Sequence, residues 1–120
     1  MTTEEKELLF KDLCARLPYD VKVNNEIQGD FYVYGICENL VFVRNEVCHI
    51  DFSVENIKPY LFPLSSMTEE QEKECQKIKH SYYYDDDAFV LFDWYNKNHF
   101  DYRGLIPMDL AIDTTGLNIY

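Results

Sequence analysis

Apolar and polar residues recur with two different periods along the chain, and the change of period separates helical from extended segments. Residues 3–16 have a helical period, and their apolar stripe consists of Leu9, Phe10, Leu13, Cys14 and Leu17. Thr2 or Thr3 can cap the first turn, and Pro18 ends the helix. The pattern therefore predicts an N-terminal helix over residues 3–16.

The period changes to two over residues 20–62, where apolar and polar side chains alternate in short runs. Turn-forming residues interrupt the runs at positions 24–25, 28–30, 38–39 and 45–46. This pattern predicts an antiparallel meander of about four short strands. Pro59 and Pro63 bracket residues 60–62, and two such prolines argue against a central strand. We therefore expect an extended connector there, with Tyr60, Leu61 and Phe62 covering the edge of the sheet.

A second helix is predicted from residue 69 to residue 80. Thr68 with Gln71 fits a capping box, and Ser66 with Glu69 is an alternative register. The apolar face of this helix is thin, since it is formed mainly by Cys75 and Ile78, so most of the helix is expected to be solvated.

A third helix is predicted over residues 86–98, with Phe89, Phe92 and either Trp94 or Tyr95 on its core face. It is apolar on most sides, so we expect it to be deeply packed. Residues 100–120 should form short irregular pieces, with one helical turn near residues 108–112. The chain is thus predicted to be a single α+β domain covering residues 1–120, with a small antiparallel sheet and three helices.

The charge of the chain changes the functional picture more than its length does. The 120 residues carry a formal net charge of −11 at pH 7. Residues 1–60 hold 11 acidic and 6 basic side chains, and residues 61–120 hold 11 and 5, so the acids are not gathered in a tail. An even negative field repels nucleic acid and anionic membrane surfaces, and it attracts basic proteins. We therefore expect a protein partner, and neither direct nucleic-acid binding nor a membrane.

The four cysteines are widely spaced, at positions 14, 37, 48 and 75, without a C-x-x-C pair. Zinc sites usually use close pairs, so no metal site is expected. The acidic N-terminal segment does not resemble a secretory signal, and no apolar run is long enough to span a bilayer. We expect free thiols that act as small buried apolar groups in a reducing cytoplasm.

Two H-x-D pairs, His49 with Asp51 and His99 with Asp101, are the strongest polar motifs. Residues i and i+2 of a strand share a face, so His49 and Asp51 could form an acid/base pair or part of a metal site. The alternative is a surface pair without chemistry. His99 and His80 lie near predicted helix ends, where a partly positive imidazole would meet the negative end of the helix dipole. Motifs of serine hydrolases and of phosphate-binding loops are absent, no cofactor is predicted, and a Cys–His nucleophile stays open.

The segment between the second and third helices is the candidate site, a partner-binding surface. It consists of Tyr82, Tyr83, Tyr84, Asp85, Asp86 and Asp87. Three adjacent tyrosines cannot all face one core. One interpretation is that exposed tyrosine rings form a protein contact site. The other is a strand or loop in which alternate rings are buried. The aspartates fit the capping of the third helix, or an acidic contact surface; a hard-cation site would require spaced ligands.

Three segments carry a resemblance: residues 11–19 (KDLCARLPY), 57–71 (IKPYLFPLSSMTEEQ) and 100–106 (FDYRGLI). With these segments the chain resembles short uncharacterised proteins of Bacteroides-type gut bacteria, carried in their phages, prophages and other mobile elements. The resemblance implies a cytoplasmic, mobile-element context and supplies no activity, cofactor or catalytic residue. Position 20 is Asp here, where the family is expected to favour glycine. In the same segments, Arg103 is expected to pair with Asp101 or Asp113.

These observations together predict a non-enzymatic accessory protein of a phage or mobile element that acts by binding another protein. A sharper version is an acidic inhibitor of a host defence or nucleic-acid enzyme, in which carboxylates imitate phosphates. A small enzyme of unknown reaction and a structural or assembly protein are the alternatives from other classes. The oligomeric state does not follow from the sequence.

Overall fold

A computed structural model describes residues 1–81 and 88–120 of the chain, and its architecture is α+β as predicted. The three helices are α1 (Thr3–Arg16), α2 (Glu69–Ser81) and α3 (Ala88–Lys97). The strands are β1 (Lys22–Asn25), β2 (Gly29–Cys37), β3 (Leu40–Arg44), β4 (His49–Ser53), β5 (Lys58–Pro63), β6 (Phe100–Asp101) and β7 (Ile112–Asp113). Single turns of 3-10 helix follow α1, β4 and β5. In these two described ranges, no helix has both the length and the apolar composition required to cross a membrane.

The strands form one sheet in the order β4-β3-β2-β1-β5-β6, with β7 beside β5. Strands β1 to β4 are the predicted meander, and each is antiparallel to the next. The expectation of about four strands in a purely antiparallel sheet is nevertheless wrong. The described residues form seven strands, and β5 pairs antiparallel with β1 but parallel with β6 and β7. The sheet is therefore mixed.

Strand β5 is the largest correction, because its two prolines predicted a connector at the sheet edge. Both prolines lie near the ends of this six-residue strand, where a missing N–H removes the fewest ladder bonds. The residues between them keep their backbone bonds: Phe62 N–H donates to the carbonyl of His99 at 2.8 Å, and Leu61 accepts from Thr114 at 2.9 Å. Two short parallel partners use the middle and end of β5, so the strand is internal to the sheet.

Two asparagines build the turns at two of the predicted breaks in the same way. The Oδ1 atom of Asn25 accepts from the backbone N–H groups of Ile27 and Gln28, at 3.0 and 2.9 Å. Asn45 Oδ1 accepts from the N–H groups two and three residues later, at 2.8 and 2.9 Å. These side chains replace backbone partners that a sharp turn leaves unpaired. The breaks therefore reverse the chain without requiring an Asn-Gly pair.

Helix α1 begins and ends where the sequence predicts. Thr2 is its N-cap and forms a reciprocal capping box with Glu5. The 3-10 turn after the helix ends at Asp20, whose φ of 53° is left-handed backbone that favours glycine. The buried face differs from the predicted stripe: it consists of Leu9, Asp12, Leu13 and Arg16, whereas Cys14 is exposed.

Two apolar clusters fill the fold. The larger cluster lies between α1 and the inner face of the meander and includes Leu9, Leu13, Val23, Phe31, Val33, Val41 and Val43. The smaller cluster joins α2, α3 and β6 and is formed by Cys75, Tyr95 and Phe100, with Trp94 and Tyr102 packed against it. Helix α2 begins at the predicted Thr68–Gln71 capping box and buries Cys75 on its thin apolar face.

The tail is more ordered than expected. It contributes β6 and β7 to the sheet, and its tight turn lies at residues 105–110, just before the turn predicted near residues 108–112. The hydroxyl of Tyr120 accepts from the N–H of Lys22 at 2.8 Å and donates to the carbonyl of Tyr60 at 2.9 Å. These two bonds attach the tail across β1 and β5.

The cysteines are free thiols in the structure, but only one of them is a buried apolar group. Cys75 is buried, Cys48 is intermediate, and Cys14 and Cys37 are exposed. The expectation that the thiols serve as core residues is therefore wrong for Cys14 and Cys37. Cys14 belongs to the predicted apolar stripe of α1, and Cys37 is the last residue of β2.

Candidate functional site

The predicted partner surface, Tyr82, Tyr83, Tyr84, Asp85, Asp86 and Asp87, lies outside the described residues. The helices on either side of it are described: α2 extends to Ser81, and α3 begins at Ala88. The interpretation of the tyrosines and aspartates as a contact surface therefore stays a prediction, and the candidate site below is built from described residues alone.

Helix α3 is not deeply packed, contrary to the prediction from its composition. Phe89 is 77% exposed and Phe92 is 44% exposed, although both were expected on the core face. The buried face is formed instead by Tyr95 and Asn96, with Leu91 partly buried beside them. The physical reason is that α3 covers only the small α2–β6 cluster, which is too narrow to take up the aromatic residues of the first helical turn.

The exposed aromatic side chains of α3 border a cavity of about 630 Å³ between α1 and α3. We call this cavity the α1–α3 cleft. Helix α1 contributes Lys11 and the small Ala15, which leaves room between the two helices. The remaining lining residues are Phe89, Phe92, Asp93, Asn96, Tyr102 and Arg103. The described lining residues thus combine three aromatic rings with two cations and one carboxylate.

Stacked rings fix the aromatic wall of the cleft. The ring of Tyr102 lies 5.1 Å from that of Phe92 and 5.4 Å from that of Tyr95, with interplanar angles of 20° and 21°. Phe92 and Tyr95 are three residues apart on α3, so one tyrosine from the segment after β6 contacts two successive helical positions. Offset stacking of this kind restricts the rings before any ligand binds.

A buried ion network underlies the cleft. The carboxylate of Asp12 accepts from Arg16 Nε at 2.8 Å and from Arg16 Nη2 at 3.2 Å, and both side chains are fully buried. Arg103 Nε donates at 3.1 Å to Asp12 Oδ1, the oxygen that also accepts from Arg16 Nη2, and the Arg103 side chain is 18% exposed. One carboxylate therefore holds two guanidinium groups, and the network has a net charge of +1 at the base of the cleft.

The network also ties helix α1 to the rest of the fold. Arg16 Nη2 donates to the carbonyl of Phe100 at 2.6 Å, and Arg103 Nη2 donates to the hydroxyl of Tyr102 at 2.9 Å. The expectation that Arg103 pairs with Asp101 or Asp113 is wrong. Asp101 instead accepts from the backbone N–H groups of Leu105 and Ile106, both at 2.9 Å, and Asp113 accepts from the N–H of Thr115.

Tyr19 holds one of the lining residues, Asp93, in place. Its hydroxyl donates to the carboxylate of Asp93 on α3. This hydrogen bond raises the pKa of Tyr19, because the carboxylate favours the protonated phenol. Tyr19 is therefore a neutral donor at neutral pH, and it fixes the position of the one acid among the described lining residues.

The largest of the described cavities, about 900 Å³, lies along α2 and includes Cys75 and Tyr95. The thiol of Cys75 lies 3.7 Å from the hydroxyl of Tyr95. Burial, with a smaller contribution from this contact, raises the pKa of Tyr95 to about 12. The phenol is therefore protonated at neutral pH and cannot serve as a base for the thiol.

The H-x-D residues lie apart from both cavities. His49 and Asp51 share the solvent-facing side of β4, as their spacing predicts, and the His49 ring packs edge-on against Tyr34 at 5.6 Å. Among the described residues, no three His, Cys, Asp or Glu side chains are grouped so that they could hold a metal ion. His49 and Asp51 therefore form a surface pair on an edge strand.

His99 differs from its predicted role. It follows α3 with a left-handed φ of 63°, and its ring stacks on that of Tyr120 at 3.6 Å with an interplanar angle of 7°. Burial, followed by the positive charge of Arg16, lowers the pKa of His99 to about 4. The imidazole is therefore neutral at pH 7 rather than a cation at the end of a helix dipole.

The Asp12–Arg16–Arg103 network is the feature that sequence reasoning missed. Its local signal was present, because Asp12 and Arg16 are four residues apart on the side of α1 that carries Leu9 and Leu13. The predicted stripe was chosen from apolar residues alone, so it contained Phe10 and Cys14 and left out Asp12 and Arg16. Arg103 is 91 residues from Asp12 in the chain, and no local pattern links the two.

Comparison of the chain with known protein families, with curated proteins and with solved structures finds no match in any of the three.

Proposed function

We propose that this protein acts by binding another protein, and that the α1–α3 cleft with the first turns of α3 is its contact surface. The observation that supports this most is the exposure of apolar side chains on a ten-residue helix: 77% for Phe89, 41% for Val90 and 44% for Phe92. Exposed apolar groups gathered on one element are typical of protein interaction sites, whereas isolated ones are ordinary.

The cleft has the composition of an interface centre. Aromatic side chains and arginine are enriched at the energetically important positions of protein contacts. Burying a phenylalanine side chain that was exposed contributes roughly 2 kcal/mol. Because stacking already restrains Phe92 and Tyr102, they lose little side-chain freedom on binding.

The charges of the cleft define the segment that it accepts. Lys11 and Arg103 line the cleft, and the carboxylate of Asp93, which also lines it, accepts a hydrogen bond from Tyr19. A partner segment with an apolar side chain next to a carboxylate would satisfy both the rings and the cations. The cleft therefore favours a negatively charged group of the partner, whereas the net charge of −11 on the whole chain attracts basic surfaces.

We further propose the context that the sequence suggests: an accessory protein of a phage or mobile element in the cytoplasm of its bacterial host. The narrower version, an acidic inhibitor of a host defence or nucleic-acid enzyme, requires a continuous acidic surface. Helix α2 carries four glutamates, but Lys73, Lys77 and Lys79 are interleaved with them. The aromatic cleft therefore supports protein binding better than it supports phosphate mimicry.

The experiment is a pull-down with the tagged protein from lysate of a bacterial host, comparing wild type with Phe89→Ser. Ile27→Ser is the matched control, since Ile27 is 92% exposed on the β1–β2 turn. We expect a captured protein to be retained by wild type and by Ile27→Ser and to fall at least about tenfold with Phe89→Ser, a loss of roughly 1.4 kcal/mol. Phe89→Leu should recover part of the capture.

Thermal unfolding of the three variants shows whether they fold alike, since substitution of an exposed side chain changes stability by about ±0.5 kcal/mol. Equal capture by wild type and Phe89→Ser would contradict the proposed surface. Repeating the capture at increasing salt concentration distinguishes the acidic inhibitor from a protein-binding function that does not depend on the net charge. A steep loss with salt indicates a basic partner, and capture insensitive to salt contradicts the acidic inhibitor.

A further inference from the structure

Strand β4 lies at one end of the sheet. It pairs with β3 over five residues, from Arg44↔His49 to Leu40↔Ser53. In the sheet formed by residues 1–81 and 88–120, no strand pairs with its other side. The outer edge of β4 is therefore a row of main-chain donors and acceptors that another strand could use.

The residues that carry these free groups follow from the pairing with β3. Asn45 N–H donates to the carbonyl of Cys48 at 3.0 Å, so residues 45 and 48 are a hydrogen-bonded pair at the start of the ladder. Hydrogen-bonded and non-hydrogen-bonded pairs alternate along an antiparallel ladder. Ile50 and Phe52 therefore direct their N–H and C=O groups at β3. His49, Asp51 and Ser53 direct theirs outward.

The outer edge of β4 lacks features that commonly prevent an exposed strand from pairing with a strand of another chain. Proteins usually protect an exposed edge strand with proline, lysine or a bulge, or by covering it. The sequence of β4, HIDFS, has no proline and no lysine, and the register shift of the meander lies in β2, between Val33 and Gly35. Val47, in the turn between β3 and β4, is 89% exposed.

The edge is also complementary to itself. In a two-fold antiparallel pairing centred on Ile50, His49 lies opposite Asp51 of the second copy, and Asp51 lies opposite His49 of the second copy. Both are outward-bonding positions, so each pair exchanges two main-chain hydrogen bonds. The opposed His and Asp side chains lie on the same face of the joined sheet, where imidazole and carboxylate attract each other.

The neighbouring registers are less favourable. A two-fold axis at Asp51 would place the two Asp51 carboxylates directly opposite each other, which is destabilising. An axis at Phe52 pairs Asp51 with Ser53 and leaves His49 outside the ladder. We propose that β4 is a homodimerisation edge, that its occupant is β4 of a second copy of this chain, and that the register is centred on Ile50.

The first test is sedimentation equilibrium at physiological ionic strength, which screens the repulsion between two chains of charge −11. We expect a concentration-dependent dimer for wild type. His49→Asp places carboxylates opposite carboxylates and should weaken dimerisation about tenfold or more. His80→Asp is the matched control, because it makes the same charge change on an exposed position of α2 and should leave the dimer constant unchanged.

The register is tested by the swapped variant His49→Asp/Asp51→His, which restores opposite charges only when the axis is at Ile50. We expect its dimer constant to return to within about threefold of wild type. Failure of the swap to recover association, in a variant that unfolds like wild type, would overturn the register.

Asp51→Pro tests the edge itself, because it removes an outward N–H without removing any bond to β3. It should give a monomer with an intact circular dichroism spectrum. A wild-type chain that remains monomeric at high concentration overturns the proposal, as does a dimer that survives Asp51→Pro. A dimer that is lost with Phe89→Ser but kept with Asp51→Pro would assign self-association to α3 instead.

Discussion

The two apolar clusters of this protein are built on different principles. Among the described residues, the cluster between α1 and the meander contains 15 buried apolar side chains, and the α2–α3–β6 cluster contains three. The first is mainly aliphatic and continuous. The second is held by aromatic stacking at its margin, with Trp94 stacked on Phe100 at 5.6 Å. A small cluster cannot cover a helix as apolar as α3, so Phe89, Val90 and Phe92 stay exposed.

The Asp12–Arg16–Arg103 network lies where these two regions meet, so its loss should have the largest effect. We expect Asp12→Ala to lower the free energy of unfolding by about 3–5 kcal/mol, because Arg16 is left as a buried charge without its carboxylate. Urea denaturation measures this change. Lys6→Ala, which breaks the exposed pair with Glu55, should cost less than about 1 kcal/mol.

A double variant sharpens the interpretation of the network. Asp12→Leu/Arg16→Met removes both buried charges together, and we expect it to be more stable than Asp12→Ala. If Asp12→Ala costs no more than Lys6→Ala, the network does not join the two regions in solution.

The second prediction compares the loss of stability when one leucine of each cluster is replaced by alanine. Leu13 is fully buried in the larger cluster, whereas Leu91 is only partly buried beside the smaller one. We expect Leu13→Ala to cost about 3 kcal/mol and Leu91→Ala about 1 kcal/mol, because the exposed site leaves a smaller cavity. Thermal and urea unfolding of both variants measure the difference. Equal losses would show that the two clusters contribute alike to stability.

The third prediction concerns pH, and its expected effect is smaller than those of Asp12→Ala and Leu13→Ala. The pKa of His99 is about 4 in the folded protein, below its ordinary value of 6.5, so the unfolded chain binds the proton first as pH falls. The contribution of neutral His99 is fully present above pH 6.5 and is lost as pH falls from 6.5 through 4. Because the side chain of His99 is partly exposed, solvent screening reduces the full linkage energy of this pKa difference, and we expect a loss of about 2 kcal/mol over this range.

Measuring the free energy of unfolding between pH 7 and pH 4 tests this prediction. His99→Asn should flatten the profile, because asparagine tolerates the left-handed φ of 63° and carries no proton. His80→Asn, at an exposed position of α2, is the control and should keep the wild-type slope. A profile unchanged by His99→Asn would show that other groups account for the pH dependence.

The parts of the fold that the sequence predicted are those fixed by neighbouring residues. Helix α1 starts at the Thr2 capping box, α2 starts at the Thr68 capping box, and the four-stranded meander follows the period of two between asparagine turns. Each depends on contacts between residues a few positions apart. The helix starts and the meander can therefore be predicted from the sequence alone.

The errors share a different cause. β5 is a strand because distant residues of the tail supply its parallel partners, which a local rule about proline does not include. α3 exposes Phe89 because the cluster beneath it is small, and Arg103 pairs with Asp12 because the segment after β6 passes next to α1. The α1–α3 cleft was not predicted, and the predicted partner surface at residues 82–87 stays a prediction.

The sequence by itself determined the α+β class, the start of each capped helix, the meander and the even acidity of the chain, since these depend on composition, period and local hydrogen bonds. Only the tertiary structure decided which apolar residues are covered, which acid holds two arginines and which strand edge is left open. Those outcomes depend on contacts between segments far apart in the chain, whose free energy exists only once the chain has folded.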